Sequence, residues 1–226
     1  MSIEEKLITI AENQEKVFEA GQKSEYDRFW DGFQNNGKRI EYGHAFQNWP
    51  DNIFYPKYDI KVYNSTGEKV FMNCGVKNMK QRLIDCNVEL LISNTSISQM
   101  FHGCQSTEYP KLDVSQTNSM SNAFYSCKAQ KLEFIVAAKT TFHYGTFSSC
   151  TSLTEIYLEG ELATNGLTVN NLKLTHDSLM SIINCLKDYS DNTSGTTYKV
   201  TLGSTNLAKL TDEEKAMATE KGWTLA

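Results

Sequence analysis

A short apolar signature recurs four times along the middle of this chain, and it constrains the fold more than any other feature. Each copy ends in a cysteine that follows a leucine or phenylalanine by three positions. The copies are Met79–Cys86, Ile97–Cys104, Met120–Cys127 and His143–Cys150. Their cysteines are separated by 18, 23 and 23 residues. Because a repeat of this length cannot cover its own apolar face, we expect successive repeats to stack as a solenoid.

A short extended segment follows each cysteine. The four segments are Leu90–Ile92, Leu112–Val114, Leu132–Phe134 and Ile156–Leu158. Alternate side chains of a strand face opposite ways, so we expect the first and third residues of each segment to point inward. The middle residues then form one outward column of Leu91, Asp113, Glu133 and Tyr157. The preceding residues form a second column of Glu89, Lys111, Lys131 and Glu155.

Parallel stacking of these segments would make both columns continuous along a β-sheet. The columns therefore supply a candidate binding face. Its residues are Leu91, Lys111, Asp113, Lys131, Glu133, Glu155 and Tyr157.

The flanks of the repeats have a different character, which divides the chain into three parts of one continuous α/β domain. Residues 1–59 combine helical patterns with an aromatic segment at 42–58, which we interpret as an N-terminal helical and aromatic cap. The same rings could instead stack on sugars or on a partner. Residues 60–174 carry the repeats. Residues 175–226 alternate helix and strand, with a capping box at Thr211, and predict a C-terminal α/β cap.

The first predicted helix has an apolar seam with alternating steps of four and three residues. Its members are Ile3, Leu7, Ile10, Gln14 and Val17. This spacing is typical of a coiled coil, in which one polar position can fix register or chain number. The seam is therefore a candidate oligomerisation surface. An amphipathic helix lying against the body of the protein explains the pattern equally well.

Charge and hydropathy argue against several functional classes. The formal net charge is -5 and the sequence has no basic run, which disfavours nucleic acid and anionic membranes as partners. No apolar stretch approaches the roughly 20 residues needed to cross a bilayer. The charged start of the chain predicts synthesis in the cytoplasm without a signal peptide, where we expect the six cysteines to be thiols.

No catalytic or metal-binding motif is visible. The four histidines fall in no two-histidine metal pattern, and there is no Cys-x-x-Cys, phosphate-binding glycine loop or Gly-x-Ser-x-Gly. The recurrence of the cysteines favours packing over nucleophilic chemistry. We therefore expect a non-enzymatic protein that uses no cofactor and no metal.

Three segments carry a resemblance to a known family. Lys111–Ser115, Met120–Cys127 and Phe147–Ile156 resemble leucine-rich repeats of the bacterial surface-antigen type. The resemblance implies a curved solenoid with a parallel sheet on one side. The chain departs from the pattern at Cys86, whose repeat lacks the phenylalanine, and after Cys104, where a longer link contains a proline.

The flanks are similar to predicted leucine-rich-repeat proteins from tail gene regions of phages and prophages of Gram-positive hosts. The similar segments are Val17–Gly21, Tyr26–Asp31, residues 42–58 and Leu210–Leu225. This resemblance implies a protein made in the bacterial cytoplasm and associated with a virion, which recognises a protein or glycan on a host surface. The alternative is a structural virion component, a spacer or assembly protein, that oligomerises through the N-terminal seam.

Overall fold

Parallel strands in small sheets form the β-structure of this chain. The structure, a computed structural model, describes residues 39–40, 45–57, 59–63, 69–93, 96–193 and 195–226. The chain divides into two compact units, Met1–Arg39 and Ile40–Ala226. The three-part division at residues 59 and 174 stays a prediction. The seam residues Ile3, Leu7, Ile10, Gln14 and Val17 lie outside the described residues.

Eight strands occur in the described part of the chain. They are β1 (Arg39–Ile40), β2 (Ile60–Tyr63), β3 (Leu90–Ser93), β4 (Leu112–Asp113), β5 (Lys131–Val136), β6 (Glu155–Gly160), β7 (Tyr198–Val200) and β8 (Trp223–Leu225). The sheet orders are β1-β2-β3, β4-β5-β6 and β7-β8. The pairs β2–β3, β4–β5, β5–β6 and β7–β8 are parallel, as expected when successive repeats stack in the same direction.

Helices lie between the strands. They are a 3₁₀ helix (Asp51–Ile53), α1 (Met79–Asp85), α2 (His176–Cys185), α3 (Ser204–Leu207) and α4 (Asp212–Glu220). Side-chain caps begin α2 and α4, and the one at Thr211 is the predicted capping box. The Thr175 side chain accepts a hydrogen bond from the Ser178 N–H at the start of α2. Thr211 and Glu214 form the capping box that begins α4, which satisfies backbone N–H groups that have no partner inside the helix.

A column of stacked phenylalanines runs through the core. Its members are Phe46, Phe71, Phe101, Phe124 and Phe147, all buried. Successive ring centroids are 5.1, 5.3, 5.0 and 6.0 Å apart, with interplanar angles of 25° or less. The phenylalanines of the recurring signature, Phe101, Phe124 and Phe147, therefore lie in one row, and Phe46 and Phe71 extend it. Stacking of this kind adds to the free energy gained from burying the rings.

Tight turns hold each phenylalanine in place. The residue two positions after each phenylalanine has a positive φ. These residues are Asn48, Asn73, Gly103, Ser126 and Ser149. Small or amide side chains tolerate that conformation best. The backbone N–H of each of the first four phenylalanines donates to a carbonyl of the next coil, at 2.8 to 3.0 Å, so the coils are in register at the turns as well as along the strands.

The first predicted repeat copy is wrong. Residues Met79–Asp85 form α1, which Asn78 caps by accepting a hydrogen bond from the Gln81 N–H at 2.8 Å. Cys86 follows this helix and is only half-buried. The residues that belong to the column are Phe71 and Cys74, which repeat the Phe-x-x-Cys spacing of the later copies.

The register of β4 also differs from the prediction. Asp113 pairs with Ile135, so the predicted column that places Asp113 beside Glu133 is wrong. Lys111, two residues earlier, stands level with Glu133 instead. The predicted column is also interrupted on the other side, because β3 pairs with β2 and Leu91 belongs to a different sheet from Asp113.

The length of the link before β4 explains its shifted register. Leu112 follows Cys104 by eight positions, whereas Leu132 follows Cys127 by five, and one extra residue just before β4 reduces this difference from three to two. Glu108 forms a bridge with Lys131, whereas Leu112 pairs with Phe134. Three residues therefore lie between Glu108 and Leu112, whereas two lie between their partners Lys131 and Phe134. Pro110 lies in this interval and has no N–H to donate to a ladder, so the local irregularity resembles a bulge at the start of the strand.

The C-terminal elements agree with the sequence prediction except at one point. Leu179, Ile182 and Ile183 of α2 are buried on one face, and β7 pairs with β8 as a short parallel sheet. The alternating leucines of Leu172–Leu174 suit a further strand, but this segment has no strand structure and leads into α2. Asn206 of α3 lies buried among these elements and binds several of their backbone groups.

Candidate binding face

Strands β5 and β6 present alternate side chains outward, as predicted. Lys131 pairs with Glu155 and Glu133 with Tyr157, which confirms that part of both columns. The intervening apolar side chains are buried. They are Leu132, Phe134, Val136, Ile156 and Leu158. We call the outward group, with Lys111 beside it, the strand face. Its members are Lys111, Lys131, Glu133, Glu155 and Tyr157.

Polar contacts link four side chains of the strand face. The Lys131 ammonium lies 2.7 Å from a carboxylate oxygen of Glu133 and 5.0 Å from the ring centroid of Tyr157. The Tyr157 hydroxyl donates to Glu155 at 3.2 Å. A cation over a ring and a hydroxyl bound to a carboxylate together fix the orientation of the tyrosine. The group is thus an ordered patch that offers an aromatic ring edge and charges of both signs.

The same contacts set the protonation of the strand face. The hydrogen bond to Glu133 raises the pKa of Lys131, so the lysine stays a cation at neutral pH. Removal from water raises the pKa of Tyr157, and the hydrogen bond to Glu155 adds to that effect, so the phenol stays neutral. Lys131 is exposed and its three partners are half-buried, so the ion pair contributes little to folding stability. Their positions therefore matter more for recognition than for the fold.

Lys111 ties β4 to β6 across the intervening strand. Its ammonium forms an ion pair with Glu159, a residue of β6 that sequence reasoning did not select. Both side chains are exposed, by 42% and 67%. Asp113 stands level with Ile135 and therefore with Glu159, so Lys111, two residues earlier on the same side of β4, reaches Glu159 diagonally.

Three depressions meet on this side of the protein, and Glu133 lines all three. Their volumes are about 80, 390 and 480 Å³. The smallest also involves Lys80 and Lys131. The second includes Lys111 and Tyr157. The largest extends from Lys111 towards α1, where its apolar lining consists of Leu83, Ile84, Val88, Leu90, Leu91 and Pro110.

The structure brings together most of the predicted binding residues and leaves one aside. Leu91 is 43% exposed and shares the largest depression with Lys111. Asp113 is exposed but lines none of the three depressions, and its carboxylate accepts a hydrogen bond from the Ser115 N–H at 2.9 Å. Sequence reasoning missed Ile84, which is 60% exposed. Lys80 and Ile84 lie four apart on α1, the spacing that places both on one helix face.

No group of three or more metal-ligating side chains comes together in the described residues. His44 lies outside them. His102 packs against Tyr125 with ring centroids 4.9 Å apart and ring planes tilted by 45°. Burial, with a smaller effect from Lys69, lowers the pKa of His102. His176 lies 2.8 Å from Glu214. In the described part of the chain, no helix is long and apolar enough to span a bilayer.

Comparison with known proteins identifies the repeats. The family model described as "BspA type Leucine rich repeat region (6 copies)" matches residues 64–190, which is more than half of the 226 residues. The matched range contains β3 to β6, α1, α2 and every residue of the strand face. No curated protein and no solved structure matches the chain.

Proposed function

The chain belongs to the BspA-type leucine-rich repeat family, and from this membership we propose that it is a non-enzymatic module that binds other proteins. The proposal rests on one observation. Lys131, Glu133, Glu155 and Tyr157 are held in register on two six-residue parallel strands. A rigid strand pair positions side chains more accurately than a loop does, which lowers the entropic cost of binding a partner.

We propose the strand face and the adjoining depressions as the contact surface. Tyrosine is among the side chains enriched at the centre of protein interfaces, because its ring is large, rigid and able to donate a hydrogen bond. Tyr157 lies beside charges of both signs, which suit a partner surface of mixed charge. The apolar end near Leu91 and Ile84 extends the contact area beyond the charged patch.

A finer proposal concerns the architecture. We infer that the stacked coils continue as one leucine-rich-repeat solenoid and that the flanking segments close its two ends. The in-register turns and the phenylalanine column support this inference, because each coil leaves an apolar surface that the next must cover. Small-angle scattering from the full chain tests the architecture. A radius of gyration no larger than that of a compact globular protein of this length would contradict it.

We further propose that the protein acts at the tail of a phage or prophage and recognises a protein or glycan on the surface of a Gram-positive host. The support is the likeness of the flanking segments, such as Tyr26–Asp31 and Leu210–Leu225, to predicted proteins of tail gene regions. In this proposal the chain is made in the bacterial cytoplasm and becomes part of the virion.

Binding of the purified full chain to Gram-positive cells and cell-wall extract tests the proposed contact surface. We expect Tyr157→Ala combined with Glu133→Lys to reduce binding at least about tenfold, equivalent to about 1.4 kcal/mol. The matched control combines Tyr144→Ala with Glu220→Lys, since Tyr144 is 72% exposed and neither control residue lines the depressions. Unchanged binding by a folded Tyr157/Glu133 variant would reject this surface. Protease treatment of the cells distinguishes a protein partner from a glycan.

A further inference from the structure

Four buried cysteines form a second column beside the phenylalanines. Cys74, Cys104, Cys127 and Cys150 each follow a phenylalanine of the column by three positions, and all are buried free thiols. The Cys127 and Cys150 sulfur atoms are 3.5 Å apart. The structure records no comparable contact between sulfur atoms of Cys74, Cys104 and Cys127 among the described residues. Among the described residues of this column, the close approach of two sulfur atoms therefore occurs between the coils that carry Cys127 and Cys150.

The backbone around this pair has the geometry that a cross-link requires. The Phe124 N–H donates to the Thr146 carbonyl at 3.0 Å, and the Ser126 N–H donates to the Ser148 carbonyl at 2.8 Å. Coils bonded in this way lie at the spacing of neighbouring strands, about 4.8 Å. Disulfides join residues whose Cα atoms are roughly 4.4 to 6.8 Å apart. The two sulfur atoms, already 3.5 Å apart, need to approach by only about 1.5 Å to reach the length of a disulfide bond.

We propose that Cys127 and Cys150 are a redox modification site, at which a hydroperoxide oxidises the two thiols to a disulfide that clamps adjacent coils. In the first step the Cys150 thiolate attacks one peroxide oxygen, the O–O bond breaks, and hydroxide leaves as water after taking a proton. In the second, the Cys127 sulfur attacks the Cys150 sulfenic acid and expels a second water. Two thiols and one hydrogen peroxide give one disulfide and two waters.

The surroundings of Cys150 are consistent with its role as the attacking thiol. Its hydrogen bond with the Cys127 thiol lowers the pKa of Cys150, whereas the same bond raises the pKa of Cys127. Ser149 next to it is exposed and has a φ of 63°. Local opening of this turn admits a small oxidant without unfolding of the stacked strands. Larger reagents are excluded by the same burial.

Peptide mapping of the intact protein tests the site. The reduced full chain is treated with hydrogen peroxide, quenched with catalase, alkylated, digested and analysed by mass spectrometry. We expect a linked peptide pair containing Cys127 and Cys150, about 2 Da lighter than the reduced pair, and loss of two of the six alkylatable thiols. Dithiothreitol should restore both thiols.

Two variants separate this site from general cysteine oxidation. Cys150→Ala should abolish the linked peptide, and Cys86→Ser should leave it intact, because Cys86 is the half-buried thiol that lies outside the column. The proposal would be overturned if Cys127 and Cys150 both stay reduced after the native protein is treated with peroxide, and are alkylated once it is unfolded, while Cys86 is oxidised. A cross-link of Cys104 to either residue would overturn it as well. Both overturning outcomes are observed on the protein of native sequence, so neither depends on the folding of a variant.

Discussion

Replacement of Phe124 by alanine perturbs the middle of the phenylalanine column. The ring is fully buried and stacks between Phe101 and Phe147, with centroids 5.0 and 6.0 Å away. Phe134 and Tyr109 meet it edge-on at 5.6 and 5.7 Å. The neighbours belong to adjacent coils and to a strand, so little of the resulting cavity can close by movement of one side chain.

The expected loss of stability is large relative to the total. A buried Phe→Ala change costs about 3–5 kcal/mol, and the loss of several aromatic contacts places Phe124→Ala in the upper half of that range. A domain of this kind has a free energy of unfolding of about 5–15 kcal/mol. The variant should therefore lose a third or more of its stability, unless the parent lies at the high end of that range.

Urea unfolding followed by circular dichroism measures the loss directly from the midpoint and slope. Tyr144→Ala is the matched control, because its ring is 72% exposed, and its effect should stay within about 0.5 kcal/mol. A loss below about 1 kcal/mol for Phe124→Ala would mean that the ring is not part of a continuous core, and would refute the stacked column.

Three other perturbations test separate parts of the structure. Asn206→Ala should lower the free energy of unfolding by at least about 2 kcal/mol in the same assay, because its buried amide binds four backbone groups, in residues 169–174 and at Leu202, and these hydrogen bonds would be lost. A neutral effect would mean that water replaces the amide. Gly160→Ala should cost about 1–3 kcal/mol, since φ is 108° and a Cβ would lie 2.2 Å from the Val136 carbonyl oxygen. The backbone N–H of Thr211, with a smaller effect of His176, lowers the pKa of Glu214 below its ordinary 4.5. The contribution of this carboxylate to the free energy of unfolding is therefore present above pH 4.5 and lost as the pH falls through the lower folded-state pKa. Glu214→Gln should flatten the fall in stability over this acidic range. An unchanged pH–stability curve would contradict the stabilising role of the Glu214 carboxylate.

The sequence predicts the regular part of the stack well, because there the spacing is uniform. Phe101, Phe124 and Phe147 are 23 positions apart, so a single period places all three rings in one row. Phe71 lies 30 positions before Phe101, since α1 is inserted into that coil. The period alone therefore assigned the first repeat copy to α1 and Cys86. The Phe-x-x-Cys spacing of Phe71 and Cys74 was the signal that marks the correct copy.

The strand face was predicted correctly only at β5 and β6. Alignment of Leu132–Phe134 with Ile156–Leu158 by their apolar residues places Lys131 beside Glu155 and Glu133 beside Tyr157, as the structure does. The same alignment places Leu112 beside Leu132, whereas the structure pairs Leu112 with Phe134, because the length of the link before β4 has no periodic signal. Asn206 was also invisible to pattern reasoning, because its partners come from backbone groups distant in sequence.

The insertion of α1 has a consequence for how such chains diversify. The coil from Phe71 to Phe101 contains seven more residues than the two that follow, yet its ring stacks at 5.3 Å and 5° like its neighbours. Extra length is thus absorbed after the cysteine, on the side where Lys80 and Ile84 line a depression. Insertions at this point would remodel the recognition surface while the aromatic spine keeps its geometry, so new specificities can evolve without redesign of the core.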